Sequence, residues 1–377
     1  MTRSTLVLML AGIGIATFLL ARGTPPQVDE PWSLRLQEAA GSPAFEAALE
    51  PLEFESPRDH GPHFEFQTEW WYYTGNLQAE NGDRFGYQLT IFRRGLSPGL
   101  AQRESSLGTN QIYFAHLALT DLSAGEHRAF ERFSRGSDGL AGATGDPYGI
   151  HLEDWSVEAL DRVGSLVRLR AGEADIGFDL RLVADQPLVP QGPGGLSAKG
   201  ADPGNASYYF SFTELRTEGT LRVRGRELKV QGSSWFDHEW GTSALAAGAV
   251  GWDWFGLQLD DGRELMLYQI REEQGVLLGG GTLVTQAGAP VWLSEADFQI
   301  QALGTWKSEV SGSEYPSGWR IDIPSAGLAL EVQPLIADQE LRLGIVYWEG
   351  AVRVTGSVTG LGYVELTGYE TSLQGLF

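Results

Sequence analysis

The fold is decided by residues 68–94, which read TEWWYYTGNLQAENGDRFGYQLTIFRR. Two runs rich in aromatic and β-branched residues, Thr68 to Leu77 and Arg84 to Arg94, flank the dipeptide Asn81-Gly82. Asn-Gly between two such runs is the strongest short signal for a β-hairpin, because both residue types tolerate the positive φ angles of a tight turn. This stretch therefore predicts a pair of antiparallel strands.

The same pattern continues along the first half of the chain. Further strands are predicted over Gln111 to Leu119, Leu166 to Leu169, Ile176 to Val183, Tyr208 to Phe212, Gly219 to Val223 and Glu227 to Val230. The Pro- and Gly-rich stretch from Pro187 to Gly204 predicts a long loop, and one short helix is predicted around Ser33 to Ala40. Frequent turns between alternating strands favour an all-β barrel, with a β-sandwich as the alternative.

The second half of the chain repeats the first. Residues 71–77 (WYYTGNL) precede a turn that ends at Gly82, and residues 252–259 (WDWFGLQL) precede a turn that ends at Gly262. Later in each half, residues 218–225 match residues 349–356. Two matches in the same order favour an internal duplication over a chance likeness of hairpins. The sequence thus predicts two tandem antiparallel barrels.

Length and composition restrict the class of protein. The chain has 377 residues, which is long enough for two hydrophobic cores. Its formal net charge of −22 argues against nucleic acid as a partner, because an acidic surface repels phosphate backbones. A hydrophobic fraction of 42% excludes a disordered chain. Cysteine is absent, which excludes disulfides, thiolate metal sites and a cysteine nucleophile.

The first 22 residues resemble an export signal. Arg3 is followed by an apolar run from Leu6 to Leu20, which is short for a membrane span. Leu19 stands where a signal cleavage site prefers a small residue, so an uncleaved anchor beside the inner membrane is the alternative. Both versions predict an exported, periplasmic or secreted protein. The predicted organisation is a signal or anchor (1–22), an N-terminal extension (23–60), barrel one (61–241) and barrel two (242–377).

The segment at the predicted junction, residues 235–241 (WFDHEWG), carries the most chemistry. A strand predicted over Leu228 to Phe236 ends just before Asp237, and alternation places Asp237 and Glu239 on one side and His238 on the other. The corresponding strand of the second copy, residues 365–369, has no such cluster. Aromatic neighbours would raise the pKa of a carboxyl group here, and a protonated carboxylic acid can donate a proton. The alternative is an acid–histidine pair that pins the two domains together.

A second block, residues 63–73, combines acids with aromatic residues on one strand face, where Glu69, Trp71 and Tyr73 alternate. Core packing is the simpler role for the tryptophans of this block. The residues predicted to bind a hydrophobic small molecule are Glu69, Trp71, Tyr73, Tyr208, Trp235, Trp240, Trp252 and Trp254.

The sequence gives little support for a metal site or for a catalytic serine. A zinc site would draw on His63, Glu69, His116 and His238, but no His-x-x-x-His spacing supports it, so no metal is predicted. The serines at 233 and 234 lack the strand–turn–helix setting of a nucleophile elbow.

Two blocks of the sequence resemble a known family. Residues 58–75 and residues 234–242 are similar to the AttH-like and carotenoid 1,2-hydratase group, and the likeness covers about residue 50 to the end. The resemblance implies two lipocalin-like domains and acid-initiated chemistry on a hydrophobic, unsaturated substrate. Asp237 occupies the position of the Asp proposed as proton donor in the carotenoid hydratases. Their neighbouring residues differ from Phe236 and Glu239, so a carotenoid is not the expected substrate.

The predicted function is therefore that of a hydratase, a hydro-lyase acting on a hydrophobic, isoprenoid-type alkene. Asp237 would protonate a C=C bond, and tryptophan and tyrosine faces would stabilise the carbocation by about 2 kcal/mol each. His238 or Glu239 would orient the water that adds, and no cofactor is needed. Two alternatives stay open, a non-catalytic periplasmic carrier of an apolar ligand and a secreted hydrolase.

Overall fold

The computed structural model describes residues 44–101, 105–242 and 245–373. Strands make up 60% of the chain and no α-helix occurs in the described ranges, which confirms the predicted all-β class. No described helix has the length and apolar character that a bilayer crossing requires. The predicted signal or anchor at residues 1–22 and the predicted helix at Ser33 to Ala40 lie outside the described residues.

The first sheet has thirteen strands and extends from residue 68 to residue 241. Its strands are β1 (Thr68–Ala79), β2 (Arg84–Gly95), β3 (Gln111–Asp121), β4 (Glu126–Arg135), β5 (Ala141–Gly145), β6 (Tyr148–Leu152), β7 (Trp155–Ala159), β8 (Leu166–Glu173), β9 (Ile176–Ala184), β10 (Val189–Pro190), β11 (Leu196–Ala198), β12 (Ala206–Val223) and β13 (Arg226–Gly241).

The second sheet has ten strands, and a separate pair, β19 with β20, lies beside it. The strands of this half are β14 (Ala249–Leu259), β15 (Glu264–Glu272), β16 (Gly275–Val284), β17 (Pro290–Ser294), β18 (Gln299–Ala302), β19 (Thr305–Lys307), β20 (Glu314–Pro316), β21 (Trp319–Ile323), β22 (Leu328–Pro334), β23 (Glu340–Arg342), β24 (Val346–Gly356) and β25 (Gly360–Leu366). Four single 3-10 turns complete the described structure, at Arg58–His60, Pro193–Gly195, Glu295–Asp297 and Pro324–Ala326.

The two sheets share one strand order, as an internal duplication predicts. The order β4-β3-β2-β1-β13-β12-β9-β8 in the first sheet corresponds to β17-β16-β15-β14-β25-β24-β22-β21 in the second. In both, the first strand pairs with its hairpin partner and with the last strand. The predicted fold of two related antiparallel β-barrel units is confirmed, with the first sheet nearly closed and the second a half-barrel.

Two sequence-based boundaries differ from the structure. β13 continues to Gly241 because it is paired on both sides, with β1 from Thr68 and with β12 from Ser207. The cluster 237–239 therefore lies inside a central strand and not after its end. The stretch 187–204, predicted as a loop, contains β10 and β11, which pair with β12.

Strand alternation directs two sets of aromatic side chains to opposite sides of the first sheet. Trp71 and Tyr73 point into the first barrel, whose interior is filled by a large buried cluster. Tyr72 points outward and joins a separate cluster that includes residues of both sheets, among them Trp235 and Trp254. The half-barrel has its own core. The aromatic side chains of the first sheet are therefore divided between the interior of the first barrel and the region between the two sheets.

Candidate active site

A cavity of about 150 Å³ lies between the two sheets. One wall consists of residues from the first sheet and the other of residues from the second. Aromatic side chains dominate both walls: Trp70, Tyr72, Phe92, Phe114, Tyr209, Trp252, Trp254, Tyr268 and Tyr347. Three carboxyl groups and one lysine also line the cavity, namely Asp237, Glu239, Glu365 and Lys199. An apolar cavity with a few converging polar groups is the usual form of a small-molecule site.

Cross-strand register places these side chains in rows. Tyr72, Asp237 and Ser211 are direct partners on β1, β13 and β12, so their side chains lie on the same face of the sheet. In the second sheet, Trp254 and Glu365 are direct partners on β14 and β25. Each wall of the cavity is thus built by pairing between strands that are distant in sequence.

Asp237 is only 4% exposed and accepts three hydrogen bonds. The donors are Tyr209 Oη at 2.7 Å, Ser211 Oγ at 2.5 Å and Trp235 Nε1 at 2.6 Å. Burial raises the pKa of Asp237 to about 7, although the three donors act in the opposite direction by stabilising the carboxylate. Asp237 can therefore hold a proton near neutral pH, as a general acid requires.

Glu239, the second acid of the junction segment, is already paired. It accepts a hydrogen bond from Ser207 Oγ, and its Oε1 lies 2.6 Å from Lys199 Nζ. The lysine nitrogen in turn lies 5.6 Å and 5.5 Å from the ring centroids of Tyr209 and Tyr268. Lys199 therefore fixes the position of Glu239 at the polar end of the cavity.

Glu365 is a carboxyl group of the cavity that the sequence did not indicate. It accepts a hydrogen bond from Trp252 Nε1 at 3.0 Å. Burial raises the pKa of Glu365 to about 7, and the charges of Asp237 and Glu239 add to the effect. The internal duplication could have indicated Glu365, because its strand, β25, is the counterpart of β13, which carries Asp237.

A separate polar cluster lies inside the first barrel. Glu69 Oε1 is 2.8 Å from His63 Nδ1 and 3.0 Å from His238 Nε2, and Glu69 Oε2 accepts a hydrogen bond from Arg93 Nε at 2.8 Å. Burial would raise the pKa of Glu69, but Arg93 and the two histidines hold it well below its ordinary value. Burial likewise lowers the pKa of His63, yet hydrogen bonds to Asp59 and Glu69 raise it above its ordinary value. The cluster ties the segment before β1 to the first sheet.

Three of the four residues considered for zinc meet in this cluster. Ligating atoms of His63, Glu69 and His238 lie within 4.8 Å of one another, whereas His116 bonds to Tyr347 on the other side of the sheet. Both oxygens of Glu69 already accept hydrogen bonds, and the cationic Arg93 occupies one of them. This donor set fits a charge-balanced ion-pair cluster better than a metal centre.

The structure divides the predicted site residues between two places. The cavity is lined by Asp237, Glu239, Trp252 and Trp254, and Trp235, which packs between the sheets, donates a hydrogen bond to Asp237. Residues that point into the first barrel, away from the cavity, are His238, Glu69, Trp71, Tyr73 and Trp240, and Tyr208 packs against that core. Cavity residues absent from the prediction include Trp70, Tyr72, Lys199, Tyr209, Tyr268 and Glu365.

Replacing Tyr209 by Phe should raise the pKa of Asp237 further. The substitution removes a hydroxyl that donates to Asp237 Oδ2 and so stabilises the ionised form. Carboxyl-labelled NMR across a pH titration would measure the shift. Tyr268→Phe is the matched control, because Tyr268 lines the same cavity but bonds to the carbonyl of Ala198. A Tyr209→Phe titration identical to wild type would contradict the assignment.

Two solved structures of other proteins are similar to this one. A solved structure from Nitrosomonas europaea, described as an AttH, matches with a TM-score of 0.75 and 34% identity over 85% of this chain and 98% of the other. The solved kievitone hydratase of Nectria haematococca matches with a TM-score of 0.65 and 17% identity, over 87% and 96% of the two chains. The second match shows that the two proteins share a fold.

Sequence comparison gives two further matches. Kievitone hydratase of Fusarium solani subsp. phaseoli is 24% identical over 220 residues, and the aligned part covers 53% of this chain and 59% of that protein. The chain thus aligns with about three fifths of the hydratase. The family model described as AttH-like matches residues 47–369, which include both sheets. The chain therefore belongs to the AttH-like family.

Proposed function

We propose that the protein is a hydratase that adds water to a C=C bond of a hydrophobic small molecule, with Asp237 as the proton donor. The observation that carries the proposal is a buried carboxyl group with a pKa near 7 in an aromatic cavity. Similarity to a protein named kievitone hydratase supports the reaction class and supplies kievitone as a probe.

The first step is proton transfer from the Asp237 carboxylic acid to one alkene carbon. The π electrons form the new C–H bond and leave a carbocation on the neighbouring carbon. The faces of Trp252 and Trp254 line the same cavity, and cation–π attraction to a desolvated indole contributes about 2 kcal/mol. Water then adds to the cation and gives an alcohol. His238 has no part in this proposal, because it faces the interior of the first barrel.

The test compares wild type with Asp237→Asn in the conversion of kievitone. Wild type should form a product one water heavier, detected by mass spectrometry, and the variant should be slower by roughly 10²–10⁴-fold, the usual contribution of a positioned general acid. Asp185→Asn, at an ion pair about 60% exposed, is the control and should retain the wild-type rate. Equal rates for wild type and Asp237→Asn would refute Asp237 as the acid.

A carrier of an apolar ligand is the second candidate, and the aromatic walls of the cavity favour it. A carrier would bind kievitone and release it unchanged, and Asp237→Asn would bind it equally well. Equilibrium binding measured beside the conversion assay separates the two functions. We also propose that the protein is exported, because residues 1–22 have the layout of an export signal.

A further inference from the structure

The cavity has a second carboxyl group that the proposed reaction has not used. We propose that Glu365 is the general base that takes a proton from the attacking water, opposite Asp237. This inference rests on the proposed hydratase function and deepens it by assigning the second half of the reaction.

Glu365 and Asp237 reach the same cavity from different sheets. Asp237 is on β13 of the first sheet, and Glu365 is on β25 of the second. The walls are joined by hydrogen bonds, because Trp254 Nε1 donates to Tyr209 Oη at 3.1 Å and Tyr209 Oη donates to Asp237 Oδ2 at 2.7 Å. Trp254 is also the direct cross-strand partner of Glu365. A substrate between the walls would have one carboxyl group on each side.

The hydrogen bonds of the three carboxyl groups distinguish Glu365 from the others. Both oxygens of Asp237 accept hydrogen bonds, and Glu239 is held by Ser207 and Lys199. Glu365 accepts one bond at Oε2, from Trp252, and no described residue bonds to its Oε1. Glu365 is therefore the carboxyl group of the cavity with an oxygen available to a water molecule.

Glu349 lies directly across the strand pair from Glu365, with its side chain on the same face of the sheet. It is 2% exposed, and the hydroxyl groups of Tyr72 and Tyr347 are close enough to its carboxyl group to lower its pKa slightly. Two facing carboxyl groups repel each other when both are ionised. Burial and the charge of Glu365 raise the pKa of Glu349 well above its ordinary value. Glu349 therefore holds its proton more tightly, and Glu365 is the carboxyl group of this pair that ionises first.

The complete reaction balances with these two groups. Asp237 gives its proton to carbon, and the water oxygen forms the C–O bond to the carbocation. The water proton passes to the Glu365 carboxylate as that bond forms. Proton exchange with solvent then returns Asp237 to its acid form and Glu365 to its base form, so the net change is the addition of one water to the alkene.

The test incubates the variant Glu365→Gln with kievitone in D₂O. It separates protonation of the alkene by Asp237 from deprotonation of water by Glu365. Gln keeps an acceptor for Trp252 Nε1 and the size of the side chain, so the fold should be retained. Asp237 still protonates the alkene reversibly, and deuterium should enter recovered kievitone. Hydration should fall by roughly 10²–10⁴-fold, because water is no longer deprotonated. Asp237→Asn should show neither deuterium incorporation nor hydration.

Each outcome has a defined meaning. Loss of hydration with continued deuterium incorporation in Glu365→Gln supports the inference, and hydration at the wild-type rate overturns it. If Glu365→Gln loses both, Glu365 acts in protonation and the inference is overturned while the hydratase function stands. Absence of wild-type turnover overturns the proposed function instead. Glu331→Gln, at an exposed position of β22, is the control and should behave as wild type.

A second measurement needs no substrate. Carboxyl-labelled NMR should show that Glu365 titrates at a lower pH in Asp237→Asn than in wild type, because the charge of Asp237 no longer opposes its ionisation. An unchanged Glu365 titration would show that the two carboxyl groups do not interact and would overturn the pairing.

Discussion

Replacing Arg93 by Met should lower the free energy of unfolding by about 3–5 kcal/mol, because removing one partner of a buried ion pair leaves the other charge uncompensated. Arg93 and Glu69 are both fully buried. The guanidinium also donates to Gln111 Oε1 at 2.9 Å and to the carbonyl oxygens of His63 and Phe66 at 2.8 Å and 2.9 Å. One side chain thus joins β1, β3 and the segment before β1. Urea unfolding followed by tryptophan fluorescence measures the effect.

An exposed ion pair gives the matched control. Lys307→Met breaks a pair in which the two side chains are 65% and 62% exposed, and it should change stability by less than about 1 kcal/mol. If Arg93→Met also costs less than about 1 kcal/mol, the cluster around Glu69 does not stabilise the first sheet. Activity of the folded variant should persist, since the cluster faces away from the cavity.

Replacing Asp237 by Asn should stabilise the protein at neutral and higher pH while it removes activity. The pKa of Asp237 is raised in the folded state from 3.8 to about 7, so the folded protein holds a proton that the unfolded chain has lost. Wild-type stability therefore falls as pH rises from about 4 to about 7 and changes no further above that window. At about 1.4 kcal/mol for each pKa unit, the gain from the variant reaches about 4 kcal/mol above pH 7.

The measurement compares the free energy of unfolding of Asp237→Asn with that of wild type at two pH values. We expect a larger stability gain at about pH 8 than at about pH 4, and the pH-dependent part is independent of any change in hydrogen bonding that Asn introduces. Asp185→Asn, with its carboxylate about 60% exposed, should show no comparable pH dependence. An Asp237→Asn gain that is equal at both pH values would show that folding does not raise the pKa of Asp237.

Periodicity and turn chemistry carried most of the fold prediction. Asn81-Gly82 identified the hairpin that became β1 and β2. Alternation placed Asp237 and Glu239 on one side of their strand and His238 on the other, which agrees with the structure. These features are local, because each depends on residues within a few positions of one another.

The sequence could not predict in the same way which face of β1 lines the cavity and which face points into the first barrel. Alternation separates Trp71 from Tyr72 but does not say which face turns into a barrel and which faces a second sheet, so Trp71 was placed at the ligand and Tyr72 was not. Both faces of β1 are buried, and such a strand has no polar side to orient it. Glu365 was missed because its relation to Asp237 arises only when β14 and β25 pair and the sheets pack together.

The position of the cavity between the two copies has a consequence for how such proteins diversify. The proton donor and its three hydrogen bonds come from the first copy, whereas Trp252, Trp254 and Glu365 come from the second. Substitutions in the second copy, at positions other than Trp254 and Glu365, can therefore reshape one wall of the cavity while the hydrogen bonds of Asp237 stay in place. A chain that lost either copy would keep only one wall of the cavity.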